Sequence, residues 1–309
     1  MYNYNIMKFA FLVMYELRST YKCIEALKSK VIRFYNADVF VLCQRQFEDD
    51  ATRLSLFDTN VKHAELYDKP NHLEYFGQDS NIILPSFGLW NIASNSQIYI
   101  NNHKMSKIIS PVVDDYDYYI LLRSDIQILF DFPSPEIFEK LSPGLHAHSC
   151  PMFNEFGGIG LANFVHKNFI LDYLTAPYDA IVDKSLRPRF DSLIQTSIFN
   201  QEIFCTFALQ CKGMSTRRMG GLNFFYTADS VDSYTTWATP AVHETYKVVY
   251  KYRSQVDYAF ESYNRWITDP KWKIVDDRIV LSGGVSIIER NASPQPTVVF
   301  KNRFRLVFK

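Results

Sequence analysis

One stretch constrains this chain more than any other: Asp114 to Phe130, DDYDYYILLRSDIQILF. Tyr118 to Leu122 is an unbroken apolar run, which reads as a strand buried on both faces of a parallel sheet, since helices covering both sides leave no solvent face to alternate with. Polarity then breaks without a turn residue. Arg123, Ser124 and Asp125 follow directly, placing charged side chains at the carboxyl end of a central strand, the edge of an open α/β sheet where ligands bind. A carboxylate fixed there suits a hard divalent cation, which takes one or two protein carboxylates and fills its other positions with water and substrate phosphates. Asp125 is thus a candidate metal ligand beside a diphosphate. The other reading of the same residues is an Arg–Asp pair capping a strand at the surface.

The rest of the chain supplies elements for such a sheet. Lys8 to Met14 (KFAFLVM) reads as a buried strand, and Ala37 to Cys43 (ADVFVLC) as a second. Between them Ile24, Leu27, Val31 and Phe34 recur at helical spacing from Thr20, with Ser19 or Thr20 available as a cap. Strand, helix and strand make a βαβ unit, so the loop Tyr15 to Ser19 falls on the same edge as Asp125. Gln44 to Asn81 is polar and irregular and reads as turns and short helices. Pro85 to Ile109 reads as one long amphipathic helix. Further on, a strand is expected at Leu145 to Cys150, a glycine-rich turn at Phe156 to Gly160, a helix at Asn163 to Leu174, a helix at Ile198 to Gln210 and a strand at Phe224 to Tyr226. Tyr246 to Trp266 is aromatic-rich and amphipathic, and short strands are expected at Trp272 to Leu281, Val285 to Glu289 and Thr297 to Phe308. The glycine turn is not a dinucleotide fingerprint, because the G-x-G-x-x-G spacing is absent.

Composition narrows the function classes. With 47% hydrophobic and 21% charged residues the chain is globular, and 25 Phe and 20 Tyr furnish an aromatic-rich interior. Lys plus Arg and Asp plus Glu are 33 each, so no global field recruits nucleic acid or an anionic membrane. The apolar run Phe9 to Met14 is too short to span a bilayer and lacks a cleavage-site pattern. A soluble, cytoplasmic protein without signal peptide or membrane span is the expectation. Five cysteines, with no C-x-x-C, argue for free thiols in a reducing compartment rather than a disulfide frame or zinc site.

Taken in order, Lys8-Phe-Ala-Phe-Leu-Val running into Glu16-Leu-Arg18, then Asp38-Val-Phe-Val, Tyr116 to Asp125, Phe156-Gly-Gly-Ile-Gly and Gln201-Glu202-Ile-Phe resemble successive blocks of GT-A-type glycosyltransferases. The resemblance covers roughly residues 7 to 212 and points to a branch, common in algae, large viruses and bacteria, with Arg-x-Asp in place of the Asp-x-Asp (DxD) metal motif. It implies an α/β fold: a GT-A-like, Rossmann-type mixed sheet flanked by helices. Residues 7-240 would form the transferase domain, and 241-309 a C-terminal α+β extension packed on it. It also implies a nucleotide-sugar donor, a glycan or other hydroxyl acceptor, and Mn²⁺ or Mg²⁺ bridging protein and diphosphate. Carried over, Asp125 is the metal ligand, Arg123 a donor-phosphate or structural partner, Arg18 a partner of the diphosphate or nucleotide, and Glu202 the candidate general base or acceptor-binding residue. His243 matches a late histidine that completes the metal set in many such enzymes. The chain departs from the pattern at Arg123, which replaces a carboxylate, and after Gly160, where Leu161 and Asn163 stand in place of an acidic residue.

Each residue has an ordinary reading as well. Arg18 can be a strand-end ion pair, Glu202 an exposed helix residue, His243 part of a solvated loop, and His146 and His148, on one strand face, packing groups. Two other functions remain open: a catalytically inert sugar- or nucleotide-binding relative, favoured by the missing first Asp, and a nucleotidyltransferase. The last is disfavoured because Tyr15 to Thr20 contains no glycine.

Overall fold

The computed structural model describes residues 7–77, 92–148, 162–186, 188–189, 191–192, 201–232, 240–268 and 272–282. The first apolar run forms β1 (Phe9–Tyr15). It leads into α1 (Thr20–Leu27), which continues through a π turn at Lys28–Ile32 into a last helical turn, α2 (Arg33–Tyr35). Asn36 ends the helix at φ 47°, in the left-handed region that Asn tolerates. Next come β2 (Asp38–Gln44), α3 (Asp50–Ser55), β3 (Val61–Tyr67), α4 (His72–Phe76) and the long helix α5 (Ile92–Ile109). A 3₁₀ segment at Ser110–Asp115 delivers the chain to β4 (Tyr118–Leu122), followed by β5 (Ile126–Ile128), α6 (Pro135–Phe138), β6 (Leu145–His148), β7 (Asn163–His166) and α7 (Lys167–Val182). The remainder is α8 (Gln201–Cys211), β8 (Thr216–Met219), β9 (Phe224–Ala228), β10 (Ala241–His243), β11 (Val248–Tyr250), α9 (Arg253–Thr268), β12 (Trp272–Val275) and β13 (Arg278–Leu281).

Seven strands make the main sheet, in the order β3-β2-β1-β4-β7-β6-β8. β1 pairs in parallel with β2 and with β4, so Val13 stands between Val41 and Leu122, whereas β7 runs antiparallel to both β4 and β6. The fold is therefore α/β with a mixed, Rossmann-type sheet flanked by helices, the class expected from the sequence. A second, antiparallel sheet has the order β10-β11-β9-β5, and the β12–β13 hairpin meets the main sheet at a Gly220–Val280 bridge.

The period of two along each strand divides the core into two layers. Phe9, Phe11 and Val13 of β1, with Tyr118, Ile120 and Leu122 of β4, face one layer, which also holds Leu27, Val31 and Tyr35 and the buried rings Phe132, Phe138 and Phe164. Ala10, Leu12 and Met14, with Tyr119 and Leu121, face the other, filled by Tyr99, Ile100, Tyr173, Phe204 and Phe207 of the helices. Phe164 lies 4.7 Å from the Phe138 ring and 5.8 Å from Tyr35; truncating a ring so enclosed costs about 3–5 kcal/mol. Val256 and Ala259 of α9 and Ile279 and Leu281 of β13 join the first layer.

Two expectations are corrected. Residues 163–166 form β7, not the start of a helix, and α7 begins at Lys167, where Asn168 N–H donates to Nδ1 of His166 at 3.2 Å. A buried strand and a buried helix segment of four residues carry the same apolar content, so periodicity cannot separate them. The supposedly irregular stretch after Gln44 contains β3, an edge strand whose Lys62 and Ala64 are exposed. Edge strands carry charged side chains and so read as loop. Helix α5 occupies residues 92–109 of the expected 85–109. Residues 85–91, 198–200, the turn at 156–160 and the expected strands at 285–289 and 297–308 lie outside the described residues. Among the described residues no helix is long and apolar enough to cross a membrane.

Candidate functional site

Because β1 and β4 are parallel neighbours, the loops that leave their carboxyl ends, Glu16 to Ser19 and Arg123 to Asp125, emerge side by side. Ser124, fully buried, fastens them: its hydroxyl donates to the carbonyls of Glu16 and Arg18 at 3.0 and 3.3 Å. Ser19 does not cap α1 with its side chain as expected. It sits at φ 49°, and its N–H and Oγ donate to Asp229 at 2.7 and 3.0 Å, while Thr20 Oγ1 bonds back to the Leu17 carbonyl at 2.8 Å. The loop is thus pinned from both flanks, which gives Glu16 and Arg18 a fixed place at the sheet edge.

Arg123 and Asp125 form a fork-to-fork pair. Nε donates to Oδ1 at 2.8 Å and Nη2 to Oδ2 at 2.6 Å. The Asp125 side chain is only 2% exposed and that of Arg123 25%. The Asp125 carbonyl accepts from the N–H and the hydroxyl of Thr227 at 2.8 and 3.1 Å, holding the residue against β9. Arg123 also lies over the Tyr226 ring, 4.9 Å from its centre. Burial works against the charged guanidinium, but the Asp125 carboxylate outweighs it and holds the Arg123 pKa above its ordinary value.

Around this pair stand further charges. Glu16 is ion-paired with Arg18 and accepts from Nε2 of Gln46 at 2.7 Å. Lys251 enters from the second sheet, where its N–H donates to the Tyr226 carbonyl at 2.9 Å; its ammonium lies 5.3 Å from the Tyr252 ring centre. Burial first, and then repulsion by Arg123, push the Lys251 pKa down to about 8; Asp125 and Glu16 oppose the shift and Arg18 adds to it. Arg18, Arg123 and Lys251 thus stand as three cations within electrostatic reach of the Glu16 and Asp125 carboxylates. Such a site at the carboxyl edge of the sheet suits an anion, and Arg adds bidentate geometry for phosphate.

The expected metal set is not assembled by these residues. Both Asp125 oxygens already accept from a guanidinium, and the rest of that carboxylate is closed to solvent. His243 is on β10, with β11 and β9 lying between it and β5. Its ring stacks on Phe260 at 4.9 Å and 7° and on Phe225 at 5.8 Å, and burial lowers its pKa. Among the described residues no group of three or more His, Cys, Asp and Glu side chains is placed to hold a metal ion. Among the described residues, Asp125 and His243 as placed do not make a donor set that fits Mn²⁺ or Mg²⁺.

Glu202 is the second residue of α8; its side chain lies outside the described residues. His146 and His148 are fully buried on β6, where burial pushes both pKa values down to about 4; Nδ1 of His148 donates to the Gly221 carbonyl at 3.0 Å. Lys251 and the Glu16–Gln46 contact were not anticipated. A lysine directly after the apolar Val248-Val-Tyr250 is the same strand-end polarity break that singled out Arg123, and that signal was available.

Among solved structures the chain is similar to the apo form of mouse xyloside xylosyltransferase 1, at 13% identity over 69% of this chain and 85% of that chain, with a TM-score of 0.40. No protein-family model and no curated protein matches the chain.

Proposed function

We propose that this chain is a glycosyltransferase that moves a sugar from a nucleotide-diphosphate-sugar donor to a hydroxyl acceptor. The observation that carries the reading is the gathering of Arg18, Arg123 and Lys251 at the carboxyl edge of the Rossmann-type sheet, around two loops tied together by Ser124, with Lys251 bonded through its backbone to Tyr226, the ring that Arg123 covers. In the transfer, the acceptor oxygen bonds to the anomeric carbon. The bond from that carbon to the diphosphate oxygen breaks, and its electron pair leaves with the diphosphate. Cations preorganised where that charge develops stabilise the transition state more than the ground state. Glu202 is the candidate base for the acceptor proton, a role that needs approach to the hydroxyl within about 3 Å.

The second reading is an inert relative that binds a nucleotide or sugar without turnover, and the engagement of Asp125 by Arg123 favours it. One assay separates the two. The protein is incubated with UDP-, GDP- and ADP-sugars and a pool of glycan acceptors, and nucleoside diphosphate release and acceptor mass are followed. Release coupled to a mass gain of one sugar is the expected result, abolished by Glu202→Gln. Donor binding without release identifies the inert relative, and no binding of any nucleotide sugar rejects both readings.

A further inference from the structure

A hydrated Mn²⁺ or Mg²⁺ needs open carboxylate lone pairs. Asp125 offers none to solvent: each oxygen accepts an N–H from Arg123, and 98% of the side chain is covered. Those same hydrogen bonds hold a guanidinium where the ion would have to approach, so placing two more positive charges beside Arg123, Arg18 and Lys251 is opposed by like-charge repulsion. A diphosphate meets the reverse situation. It carries two or more negative charges and no carboxylate has to be displaced for it to enter the field of the cluster.

Lys251 completes that field. Arg18 and Arg123 belong to the loops after β1 and β4, whereas Lys251 is brought in by the second sheet through its backbone bond to Tyr226. The cations thus reach the edge from two different sheets. Half-burial withholds water from the ammonium, which strengthens its interaction with an incoming anion and disfavours leaving it without one.

Building on the glycosyltransferase reading above, we propose that Arg18, Arg123 and Lys251 hold the donor diphosphate and offset its charge without a divalent cation, with Lys251 as the diphosphate-binding residue contributed by the second sheet. Arg123 then has two tasks: one face of its fork neutralises Asp125, and its remaining N–H groups are left for the anion.

The test is isothermal titration of the full chain with inorganic pyrophosphate, and with UDP, GDP and ADP, each in EDTA and, for the nucleotides, also in Mn²⁺. Wild type, Lys251→Gln and Lys251→Arg are compared. The expected result is binding of pyrophosphate and one nucleotide in EDTA, no tightening by Mn²⁺, a loss of about tenfold in Lys251→Gln, the scale of one charge-assisted hydrogen bond, and recovery to within about threefold in Lys251→Arg. The melting temperature of Lys251→Gln should equal or exceed that of wild type, which separates lost binding from lost folding. Nucleotide binding that appears only with Mn²⁺ overturns the proposal and leaves the glycosyltransferase reading standing. Binding in EDTA that Lys251→Gln leaves unchanged overturns the role of Lys251. Absence of binding in every condition overturns both the proposal and the reading beneath it.

Discussion

Removing Arg123 tests the pair on which the site is built. In Arg123→Met the Asp125 carboxylate, 2% exposed, loses both of its charged donors and gains no water to replace them. Deleting one partner of a buried ion pair typically costs about 3–5 kcal/mol, because the charge left behind stays desolvated. Lys251 lies within electrostatic reach of Asp125 and offsets part of this, so the lower half of that range is expected. For a chain of this size 1 kcal/mol corresponds to about 2 °C in melting temperature, and the predicted loss is roughly 6–8 °C at neutral pH. The double variant Arg123→Met/Asp125→Leu removes the stranded charge together with its partner. It should recover at least half of the loss, since apolar replacement of a buried pair is often close to neutral. Urea unfolding monitored by circular dichroism gives both values and their coupling. A loss below about 1 kcal/mol in the single variant, or a double variant worse than the sum of the two single variants, would refute the argument that Asp125 is neutralised by Arg123.

Two predictions concern pH. Lys251, facing Arg123, Asp125, Arg18 and Glu16, is cationic below its pKa of about 8; diphosphate affinity measured by titration should therefore fall about tenfold between pH 7 and pH 9, and Lys251→Arg should flatten the fall. His146 and His148 are held neutral by burial with pKa values of about 4, with Arg217 beside His146 acting in the same direction and Asp277 against it. Their folded pKa values lie below the unfolded value near 6.5, so the unfolded chain binds more protons in between. Stability should fall as pH drops from about 6.5 to 4, by up to about 1.4 kcal/mol per pH unit for each histidine. His148→Phe, placed among the Phe132, Phe224 and Trp272 rings, should reduce that slope by about half in melting temperatures measured from pH 7 to 4.5.

The parts of the fold that were legible in the sequence are those where burial alone decides. Strands β1, β2, β4 and β9 are apolar along most of their length because helices or a second layer cover them, and a continuous run of Phe, Val, Leu and Tyr has few other uses. β3 was illegible because an edge strand is specified by its neighbour's unpaired backbone groups more than by its own side chains. β7 was illegible because its four residues suit either period. The site divides along the same line. Arg123 and Asp125 were visible as a polarity break after a buried strand, and their spacing of two places them on one side of an extended chain, so even their pairing was implicit. What the spacing does not give is whether that pairing leaves the carboxylate open to a cation, because this depends on how deeply Thr227 and Tyr226, about a hundred residues further on, enclose it. The places of Lys251 and His243 are illegible for the same reason. Both follow or end short strands of the second sheet, and only the order β10-β11-β9-β5 determines that Lys251 returns toward Arg123 while His243 is carried to the far strand and into a stack with Phe260. Local sequence names the residues able to carry charge at a sheet edge; strand order decides which of them meet.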